Sequence, residues 1–420
     1  MDYFNRINTE LNKVAFPNSL IPNDKDVLSR TRQIMEFLGN PQNKLKIIHI
    51  AGTSGKTSTA YYMSALLTQT GCTVGLTVSP YVDAITERLQ VNNIPLDPKD
   101  FYDLLVKFLE LVNSTSVKLS YFELLYCFSF WVFAGKGVDY AVVETGMGGL
   151  YDATNIADRP DKVCLITDIG LDHTSRLGNR IEEIAKHKAG IIHHLNPVFT
   201  FNQPEPALSV IKEQCLRRDS KLTIVNSYTS HDQLSGLPSF QSRNWTLAHE
   251  AYLYICERDN LRVINNTRLI KTKLTYIPCR MEIVNYGDKE IIMDGAHNGQ
   301  KIKALVNSYT AIYPNTKAIF LLALKAGKNI KEISSAIKPV ATTVIVTTFK
   351  SNENLPSKAV EPSEIVKALQ NIGITSVAIT DQDRALNYAI SGEDKVLIIC
   401  GSFYLLSQLR STHSWLKQKS

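Results

Sequence analysis

Short apolar runs rich in Val, Ile and Leu alternate with helical patterns along almost the whole chain, and this alternation limits the fold more than any other feature. The runs are nearly continuous, which indicates strands that are covered on both faces. Strands separated by helices form parallel, doubly wound sheets. The first predicted strands are Lys46–Ala51, Thr73–Ser79, Tyr140–Thr145 and Val163–Ile169. The predicted helices among them are Lys56–Thr70, Asp97–Val112, Ser120–Phe133 and Arg180–Ile192.

A second series of strands begins near Arg280. Met281–Asn285 and Glu290–Met293 flank a Tyr-Gly-Asp turn, which indicates a hairpin. Four further strands follow, separated by amphipathic helical patterns: Lys317–Leu324, Thr343–Thr348, Ser376–Thr380 and Lys395–Cys400. We therefore predict an α/β fold with a larger domain over residues 1–277 and a smaller, Rossmann-like domain over residues 278–420. Residues 236–245 are predicted to form an irregular loop in the first domain.

The composition of the 420 residues is that of a globular protein, with 44% hydrophobic and 20% charged residues. The net charge is +6, and Lys and Arg form no run of the kind that binds nucleic acid. The seven cysteines are scattered, as is typical of reduced thiols in a reducing compartment. The N-terminal segment lacks the apolar core of a signal peptide, and no stretch reaches the ~20 apolar residues that span a bilayer. We expect a cytoplasmic monomer with no nucleic-acid or membrane partner.

The most informative motif lies between a predicted strand and a predicted helix and consists of Gly52, Thr53, Ser54, Gly55, Lys56, Thr57 and Ser58. A glycine-rich strand-to-helix turn lets backbone N–H groups converge on phosphate oxygens, and the helix N-terminus adds a partial positive charge. Lys56 is placed for the β- and γ-phosphates of ATP, and Thr57 or Ser58 offers a hydroxyl to magnesium. A tight turn that merely contains a lysine is the alternative interpretation. The motif favours ATP binding and hence a P-loop ATPase domain with a mostly parallel sheet.

The loop departs from the standard Walker pattern, because Gly52 stands three residues before Gly55 and Ile50 occupies the place of the usual first glycine. The segment HIAGTSGKTST resembles the nucleotide loop of the Mur ligase superfamily, whose members are ATP-dependent amino-acid ligases. Other segments occur in family order over nearly the whole chain: Ser79–Tyr81, Glu87–Leu89, Tyr121–Glu123, Glu144–Gly149, Asp152–Asn155, Ile169–His173, Lys188–Ile191, Asp294–Asn298 and Gly401–Leu405. These segments resemble the folylpolyglutamate synthase/dihydrofolate synthase branch of that superfamily.

The resemblance implies a magnesium site near Glu144, which ends a predicted buried strand. The carboxyl end of such a strand faces the crevice where ligands bind, and magnesium prefers hard oxygen ligands. The matching family residues make Ser79 and Glu144 ligands of magnesium and His173 a ligand of a second ion, and the loop motif adds the hydroxyl of Thr57 as a magnesium ligand. A helix cap or an ion pair is the alternative interpretation of Glu144, and a core or surface histidine that of His173.

Lys188 lies in a charged helical segment that could by itself be a solvated face with ion pairs such as Glu182–Lys186. The resemblance instead implies that Lys188 reacts with carbon dioxide to form a carbamate, an anion that helps to bind magnesium and phosphate. Such a reaction needs a depressed lysine pKa, as partial burial and nearby cations produce. Lys56, Lys188 and His173 are the residues expected to act in catalysis.

Further nucleotide contacts are implied on both predicted domains. Asn244 matches the Asn of the family's Gln-x-x-Asn segment, which contacts adenine, although an N-cap role is equally compatible with its position. Arg280 matches a family arginine that reaches phosphate. Asp294 and His297 match residues that hold ribose and phosphate from the second domain, so closure of the two domains is expected to complete the site.

Five positions match substrate-binding positions of the branch: Pro80, Arg88, Tyr121, Phe122 and Asp152. The family presents an aromatic ring to the pterin at Tyr121 and Phe122, although aromatics at helical spacing are as often part of a core. Two departures affect this side of the site. Leu150 stands where the branch usually has Arg, and Lys325–Lys328 replaces an Asp-rich turn.

The resemblance implies an ATP-dependent amide ligase that adds L-glutamate to a pterin carboxylate, dihydropteroate and/or tetrahydrofolate. The expected cofactors are ATP and two Mg²⁺ ions, and the expected intermediate is an acyl phosphate. Leu150 and the Lys325 region motivate a first alternative, a Mur-type ligase that acts on a non-folate carboxylate. A second alternative is a non-catalytic nucleotide-binding module, against which the intact Lys56 and Glu144 argue.

Overall fold

The computed structural model describes residues 2–15, 24–226, 237–350 and 358–417, which form two compact units. The first unit contains the described residues up to 237 together with residues 241–275. The second unit contains residues 238–240 and the described residues from 276 onward. Each unit is built around its own sheet.

The described part of the first unit contains an eight-stranded sheet. Its strands are β1 Lys46–Ala51, β2 Val74–Thr77, β3 Gln90–Val91, β4 Ile94–Pro95, β5 Tyr140–Glu144, β6 Val163–Ile166, β7 Val198–Phe201 and β8 Leu222–Val225. They lie in the order β4-β3-β2-β5-β1-β6-β7-β8. Only the β2–β3 and β3–β4 pairs are antiparallel among these strands. Because Ile50 pairs with Glu144, the glycine-rich loop after β1 starts beside the end of β5.

Helices cover both faces of this sheet, as the continuous apolar strands predicted. They are α1 Tyr3–Val14, α2 Asp24–Phe37, α3 Lys56–Thr70, α4 Pro98–Asn113, α5 Tyr121–Lys136, α6 Thr174–Leu177, α7 Ile181–Ala189, α8 Glu205–Arg217, α9 Ser239–Asp259 and α10 Asn266–Lys273. One core joins Phe101 of α4 and Phe128 of α5 to the sheet residue Val143. The other joins Ile184 of α7 and Ile211 of α8 to Ile166.

The second unit has a six-stranded sheet within its described residues. Its strands are β9 Glu282–Tyr286, β10 Lys289–Met293, β11 Ala318–Leu322, β12 Ala341–Val346, β13 Thr375–Ala378 and β14 Val396–Cys400, in the order β13-β12-β11-β14-β10-β9. Its helices are α11 Gly299–Ile312, α12 Ile330–Ile337, α13 Pro362–Gln370, α14 Gln382–Ser391 and α15 Phe403–Thr412. The predicted hairpin is present as the antiparallel β9–β10 pair, and the other pairs are parallel.

The predicted fold class is confirmed by these two α/β sheets, which are mostly parallel. The loop predicted over residues 236–245 is wrong from Ser239 onward, where α9 begins; Gly236 lies outside the described residues. The error arose because the first turns of α9 carry polar residues that look like loop composition, although Gln241 and Asn244 are buried. Within the described ranges, no helix is both long and apolar enough to cross a bilayer.

Candidate active site

The glycine-rich loop runs from the end of β1 into the first turn of α3. Gly55 caps α3 in the left-handed region with φ of +92°, and a Cβ at this position would collide with Oδ1 of Asn244. Both constraints require glycine. The first N–H groups of an α-helix have no partner inside the helix, so those of Lys56 and Ser58 can serve an anion bound at this end.

The amides of Thr53 and Ser54 have partners within the protein, and contact of these two residues with phosphate stays a prediction. Their N–H groups donate to the carbonyl oxygen of Asp168 over 2.8 Å and 3.2 Å. The hydroxyl of Thr53 also donates to the carbonyl oxygen of Gly170 over 3.0 Å. The first half of the loop is thus tied to the segment after β6.

Glu144 connects the loop to the neighbouring strand and helix. Its Oε1 accepts a hydrogen bond from the hydroxyl of Thr57 over 2.9 Å, and its Oε2 accepts one from the amide of Ser79 over 3.0 Å. The hydroxyl of Tyr126 donates to the Glu144 carbonyl oxygen over 2.9 Å. Glu144 is only 1% exposed. The structure thus brings together Thr57, Ser79 and Glu144, three of the predicted magnesium ligands.

The chemistry of these donors fits magnesium. One buried carboxylate and two hydroxyl groups are hard oxygen ligands, and magnesium in nucleotide sites takes one or two carboxylates together with phosphates. In the described part of the chain, no group of three or more His, Cys, Asp or Glu side chains is placed to hold a metal ion. An ion at Glu144 would therefore depend on hydroxyl and phosphate oxygens as well as on the carboxylate.

Lys188 is a buried residue beside the loop. Its side chain is 4% exposed, and Nζ donates to the carbonyl oxygen of Gly52 over 2.7 Å. The alternative of a solvated helical face is therefore wrong for Lys188, whereas Lys186 is exposed. His173 precedes α6 with φ of +51°, an uncommon conformation for a non-glycine residue. The carbamate and the metal contact of His173 stay predictions.

A cluster of Arg88, Phe122 and Tyr126, called here the aromatic pocket, adjoins the carbonyl oxygen of Glu144. The guanidinium of Arg88 lies 4.7 Å from the ring centroid of Phe122 and 5.5 Å from that of Tyr126. Arg88 is 2% exposed, and its buried Nε and Nη2 atoms have no hydrogen-bond partner among the described residues. Unpaired buried donors are costly, so this arrangement indicates an acceptor supplied by a ligand.

The predicted substrate residues divide between this pocket and the core. Phe122 and Asp152 approach each other at Gly146, where a Cβ would lie 2.9 Å from Phe122 and 3.3 Å from an Asp152 oxygen. Tyr121 is 3% exposed and packs in the first core. Pro80 is exposed and follows a cis peptide bond. Contact of these residues with a substrate stays a prediction.

Asp152 organises the turn that follows β5. It accepts hydrogen bonds from the amide of Met147 over 2.8 Å and from the hydroxyl of Thr154 over 2.6 Å. Burial raises the pKa of the Asp152 carboxyl group. The Thr154 oxygen lies 2.8 Å from Nε2 of His49, and because the hydroxyl donates to Asp152, Nε2 of His49 is the donor in that contact.

Sequence reasoning missed His49 and Tyr126. His49 is fully buried in β1, and in the part of the chain that the structure describes its Nδ1 has no hydrogen-bond partner. The available signal was a histidine inside the apolar run KIIHIA. Tyr126 gave no signal, because it lies in an apolar helix among residues that fill the core.

The second unit brings two of its three predicted nucleotide residues, Arg280 and His297, close to Phe403. The guanidinium of Arg280 lies 4.5 Å from that ring centroid, and the His297 ring lies 6.1 Å from it. Asp294 accepts hydrogen bonds from the amides of Met281 and Ala296 over 2.8 Å and 2.7 Å. Burial raises the pKa of Asp294 to about 6, although the charge of Arg280 opposes the shift.

The N-cap interpretation of Asn244 is wrong, because α9 begins five residues earlier, at Ser239. Asn244 is 3% exposed and lies against Gly55, so its side chain belongs to the surroundings of the phosphate loop. Its contact with adenine stays a prediction.

Comparison with known proteins agrees with this geometry. Residues 50–243 match the Mur ligase middle domain, and residues 279–412 match the dihydrofolate synthetase C-terminal domain. The chain is 32% identical over 416 residues to a dihydrofolate synthetase of Saccharomyces cerevisiae, covering 92% of this chain and 97% of that protein. It is 28% identical over 418 residues to a dihydrofolate synthase/folylpolyglutamate synthase of Bacillus subtilis, covering 92% and 94%.

A solved structure has the same fold. The folylpolyglutamate synthase of Mycobacterium tuberculosis, complexed with ADP, superposes with a TM-score of 0.87 at 23% identity, covering 100% of this chain and 99% of that one. The sequence match to the yeast protein is the stronger argument, because it exceeds 30% identity over nearly the full length of both chains. The predicted resemblance is confirmed: the chain belongs to the dihydrofolate synthetase and folylpolyglutamate synthase family of Mur-type, ATP-dependent ligases.

Proposed function

We propose that this chain joins the α-amino group of L-glutamate to the carboxylate of a pterin substrate, dihydropteroate and/or tetrahydrofolate, at the expense of ATP. The observation that carries the proposal is the position of Glu144. Its carboxylate is bonded to Thr57 of the phosphate loop, and its carbonyl oxygen is bonded to Tyr126, which faces Arg88. One buried residue thus connects a nucleotide loop to an aromatic pocket.

The reaction proceeds in two displacements. A carboxylate oxygen of the pterin substrate attacks the γ-phosphorus of ATP, ADP leaves, and an acyl phosphate forms. The amino group of glutamate then attacks the acyl carbon, a proton is lost, and inorganic phosphate leaves with one oxygen of the original carboxylate. The protein contributes positioning and neutralisation of charge more than covalent chemistry.

Residues of the phosphate loop act on the nucleotide. Lys56 and the first-turn amides of α3 stabilise the negative charge of the transferring phosphoryl group. Thr57, Ser79 and Glu144 would hold a magnesium ion, which when bound neutralises phosphate charge. Asn244 contacts the adenine, and Arg280, Asp294 and His297 are nucleotide contacts supplied by the second unit. We retain 1–277 and 278–420 as the proposed domain limits.

The aromatic pocket receives the pterin. Phe122 offers a ring face, and Arg88 offers two buried donors to an oxygen of the substrate. Asp152 keeps the turn over residues 146–149 in place through its bonds to backbone amides. Pro80 and Tyr121 complete the substrate side as proposed contacts.

Lys188 and His173 are proposed to complete the catalytic group. A neutral Lys188 amine attacks carbon dioxide, a proton is lost, and an anionic carbamate forms. The carbamate nitrogen retains one N–H, so it can keep the hydrogen bond to the Gly52 carbonyl oxygen. With His173, the carbamate would hold a second magnesium ion.

The experiment measures ADP release with glutamate and one of three acids: dihydropteroate, tetrahydrofolate or a cell-wall precursor. Turnover with either pterin supports the proposal, and Lys56→Ala should abolish it. A specific observation favours testing the third acid. Leu150 packs against the backbone of Gly190, two residues after Lys188, and places an apolar group where the branch has a cation. Turnover with the cell-wall precursor alone would establish the non-folate ligase instead.

ATP binding without turnover on any acid would indicate the nucleotide-binding module. A matched binding measurement with ADP separates that result from a chain that has lost its fold, because a misfolded chain binds no nucleotide.

A further inference from the structure

The first half of the phosphate loop is held by Asp168, a residue just after β6. Its carbonyl oxygen accepts hydrogen bonds from the amides of Thr53 and Ser54, and Ser54 and Asp168 form an isolated antiparallel bridge. The Thr53 hydroxyl adds bonds to the carbonyl and the amide of Gly170, over 3.0 Å and 3.1 Å. The position of Asp168 therefore determines where this part of the loop lies.

The side chain of Asp168 is in turn held by Arg243 of α9. Nη2 of Arg243 donates to Oδ1 over 2.7 Å, and Nε donates to Oδ2 over 3.1 Å. The guanidinium carbon lies 3.8 Å from the ring centroid of Phe201, at the end of β7. Two hydrogen bonds to the carboxylate, from a guanidinium that packs on the Phe201 ring, fix both the orientation of the Asp168 side chain and its distance from Arg243.

The residue after Arg243 contacts the other half of the loop. Asn244 is buried, and its side-chain oxygen lies so close to Gly55 that a Cβ there would collide with it. Helix α9 thus acts on the loop twice, through Asp168 on Thr53 and Ser54 and directly on Gly55. A shift of α9 relative to β6 would change both contacts together.

We infer that Arg243 and Asp168 are positioning residues for ATP, which keep the phosphate loop and Asn244 in the arrangement that binds the nucleotide. The inference rests on the proposed role of the loop in ATP binding. The two side chains are 28% and 29% exposed. A partly solvated pair of this kind contributes little to global stability, so its effect is expected in loop geometry and nucleotide affinity.

The test compares Asp168→Asn, Arg243→Met and the double variant. Asparagine keeps the backbone carbonyl and the size of the side chain but removes the charged two-point contact. Each single variant should raise the Kd for ADP and the KM for ATP about tenfold. The kcat at saturating ATP and the KM for the pterin should not change. The double variant should also lose about tenfold in ADP affinity rather than a hundredfold, because the two substitutions remove the same contact.

The chain offers a matched control in Arg159 and Asp161. This pair is also two-point, with distances of 2.8 Å and 2.6 Å, and its side chains are 37% and 32% exposed. It is separate from the loop contacts described above, so Asp161→Asn should leave the Kd for ADP unchanged. Thermal unfolding of each variant checks that the fold is intact.

Each outcome bears on one claim. Unchanged ADP affinity in Asp168→Asn, with normal binding by the wild type, overturns the inference. Equal weakening in Asp161→Asn also overturns it, because general loosening would then explain the effect. If the losses of ADP affinity in the two single variants add up in the double variant, Asp168 and Arg243 do not act through their contact with each other. If the wild type itself binds no nucleotide, the proposed function fails instead.

Discussion

Thr57 donates a hydrogen bond from its hydroxyl to Oε1 of Glu144 over 2.9 Å. The contact joins the first turn of α3 to the end of β5, two elements that are adjacent only because β1 and β5 pair in parallel with Ile50 opposite Glu144. In the proposed reaction, the hydroxyl oxygen of Thr57 and Oε1 of Glu144 would bind the magnesium ion. Removing the charge of Glu144 should therefore lower kcat more than it lowers the stability of the fold.

We expect Glu144→Gln to reduce kcat by about 100-fold or more, because the variant loses the one carboxylate of the proposed magnesium site. The amide keeps the size of the side chain and an acceptor for Thr57. Steady-state kinetics over a series of magnesium concentrations provides the measurement. Thr145→Val is the matched control, since this neighbouring hydroxyl is buried and has no hydrogen-bond partner within the described ranges. Full activity in Glu144→Gln would contradict the assignment.

We expect Arg88→Met to raise the KM for the pterin about tenfold or more, because a hydrogen bond from a charged group contributes roughly 1.5–3 kcal/mol. The free energy of unfolding without substrate should not fall, since the variant removes buried donors for which the described part of the chain supplies no acceptor. Kinetics and denaturant unfolding together test both statements.

The control for Arg88 is Arg30→Met. Arg30 forms an ion pair with Glu123 over 2.7 Å, and Glu123 belongs to the capping box of α5. This variant should lower stability and leave the KM for the pterin unchanged. An unchanged KM in Arg88→Met would remove Arg88 from the substrate site.

Acid should destabilise the first unit through two histidines. Burial, together with the charge of Lys162, lowers the pKa of His49 well below its usual range and that of His193 to about 3. The charges of Arg218 and Arg32 further lower the pKa of His193. Because the unfolded chain binds these protons near pH 6.5 and the folded chain does not, stability is lost as the pH falls below about 6.5.

The expected loss of unfolding free energy between pH 7 and pH 5 is about 4 kcal/mol if both histidines contribute. Denaturant unfolding at pH 7, 6 and 5 measures it. His49→Gln and His193→Asn should each reduce the dependence on pH by roughly half. If the unfolding free energy of both variants depends on pH as steeply as that of the wild type, other groups cause the loss of stability in acid.

Lys188 should take up carbon dioxide. After incubation with ¹³C-bicarbonate, we expect a carbamate carbon signal in the NMR spectrum of the wild type and its absence in Lys188→Arg. The kcat of that variant should fall by about 100-fold or more, since a catalytic anion is lost. Lys186→Arg is the matched control, because Lys186 is exposed on the same helix. A Lys188 variant with full activity would refute the carbamate.

The elements that sequence reasoning predicted well are those with a continuous local pattern. The strands β1, β5 and β6 and the helix α3 were predicted from apolar runs and from the glycines that flank them, because apolar runs mark buried segments. The hairpin before Asp294 follows from its turn residues. The start of α9 was missed, because buried polar residues such as Gln241 carry no apolar period.

Site residues could be predicted where a sequence motif specifies the residue type. They could not be predicted where their role depends on contacts between residues that are far apart in the sequence. Thr57 and Glu144 carry a motif, but the pairing of Asp168 with Arg243 joins residues 75 positions apart. The contact of His49 with Thr154 spans 105 positions. Thr53 and Ser54 belong to the loop motif, but nothing in the sequence pairs them with Asp168, and only the structure shows that contact.

The most direct test of the account uses a pterin substrate with ¹⁸O in the reacting carboxylate, together with ATP and glutamate. The account predicts that each inorganic phosphate released carries one ¹⁸O atom, because the carboxylate oxygen that attacked the γ-phosphorus leaves with the phosphate. Phosphate that contains no ¹⁸O during amide formation would contradict activation of the carboxylate through an acyl phosphate.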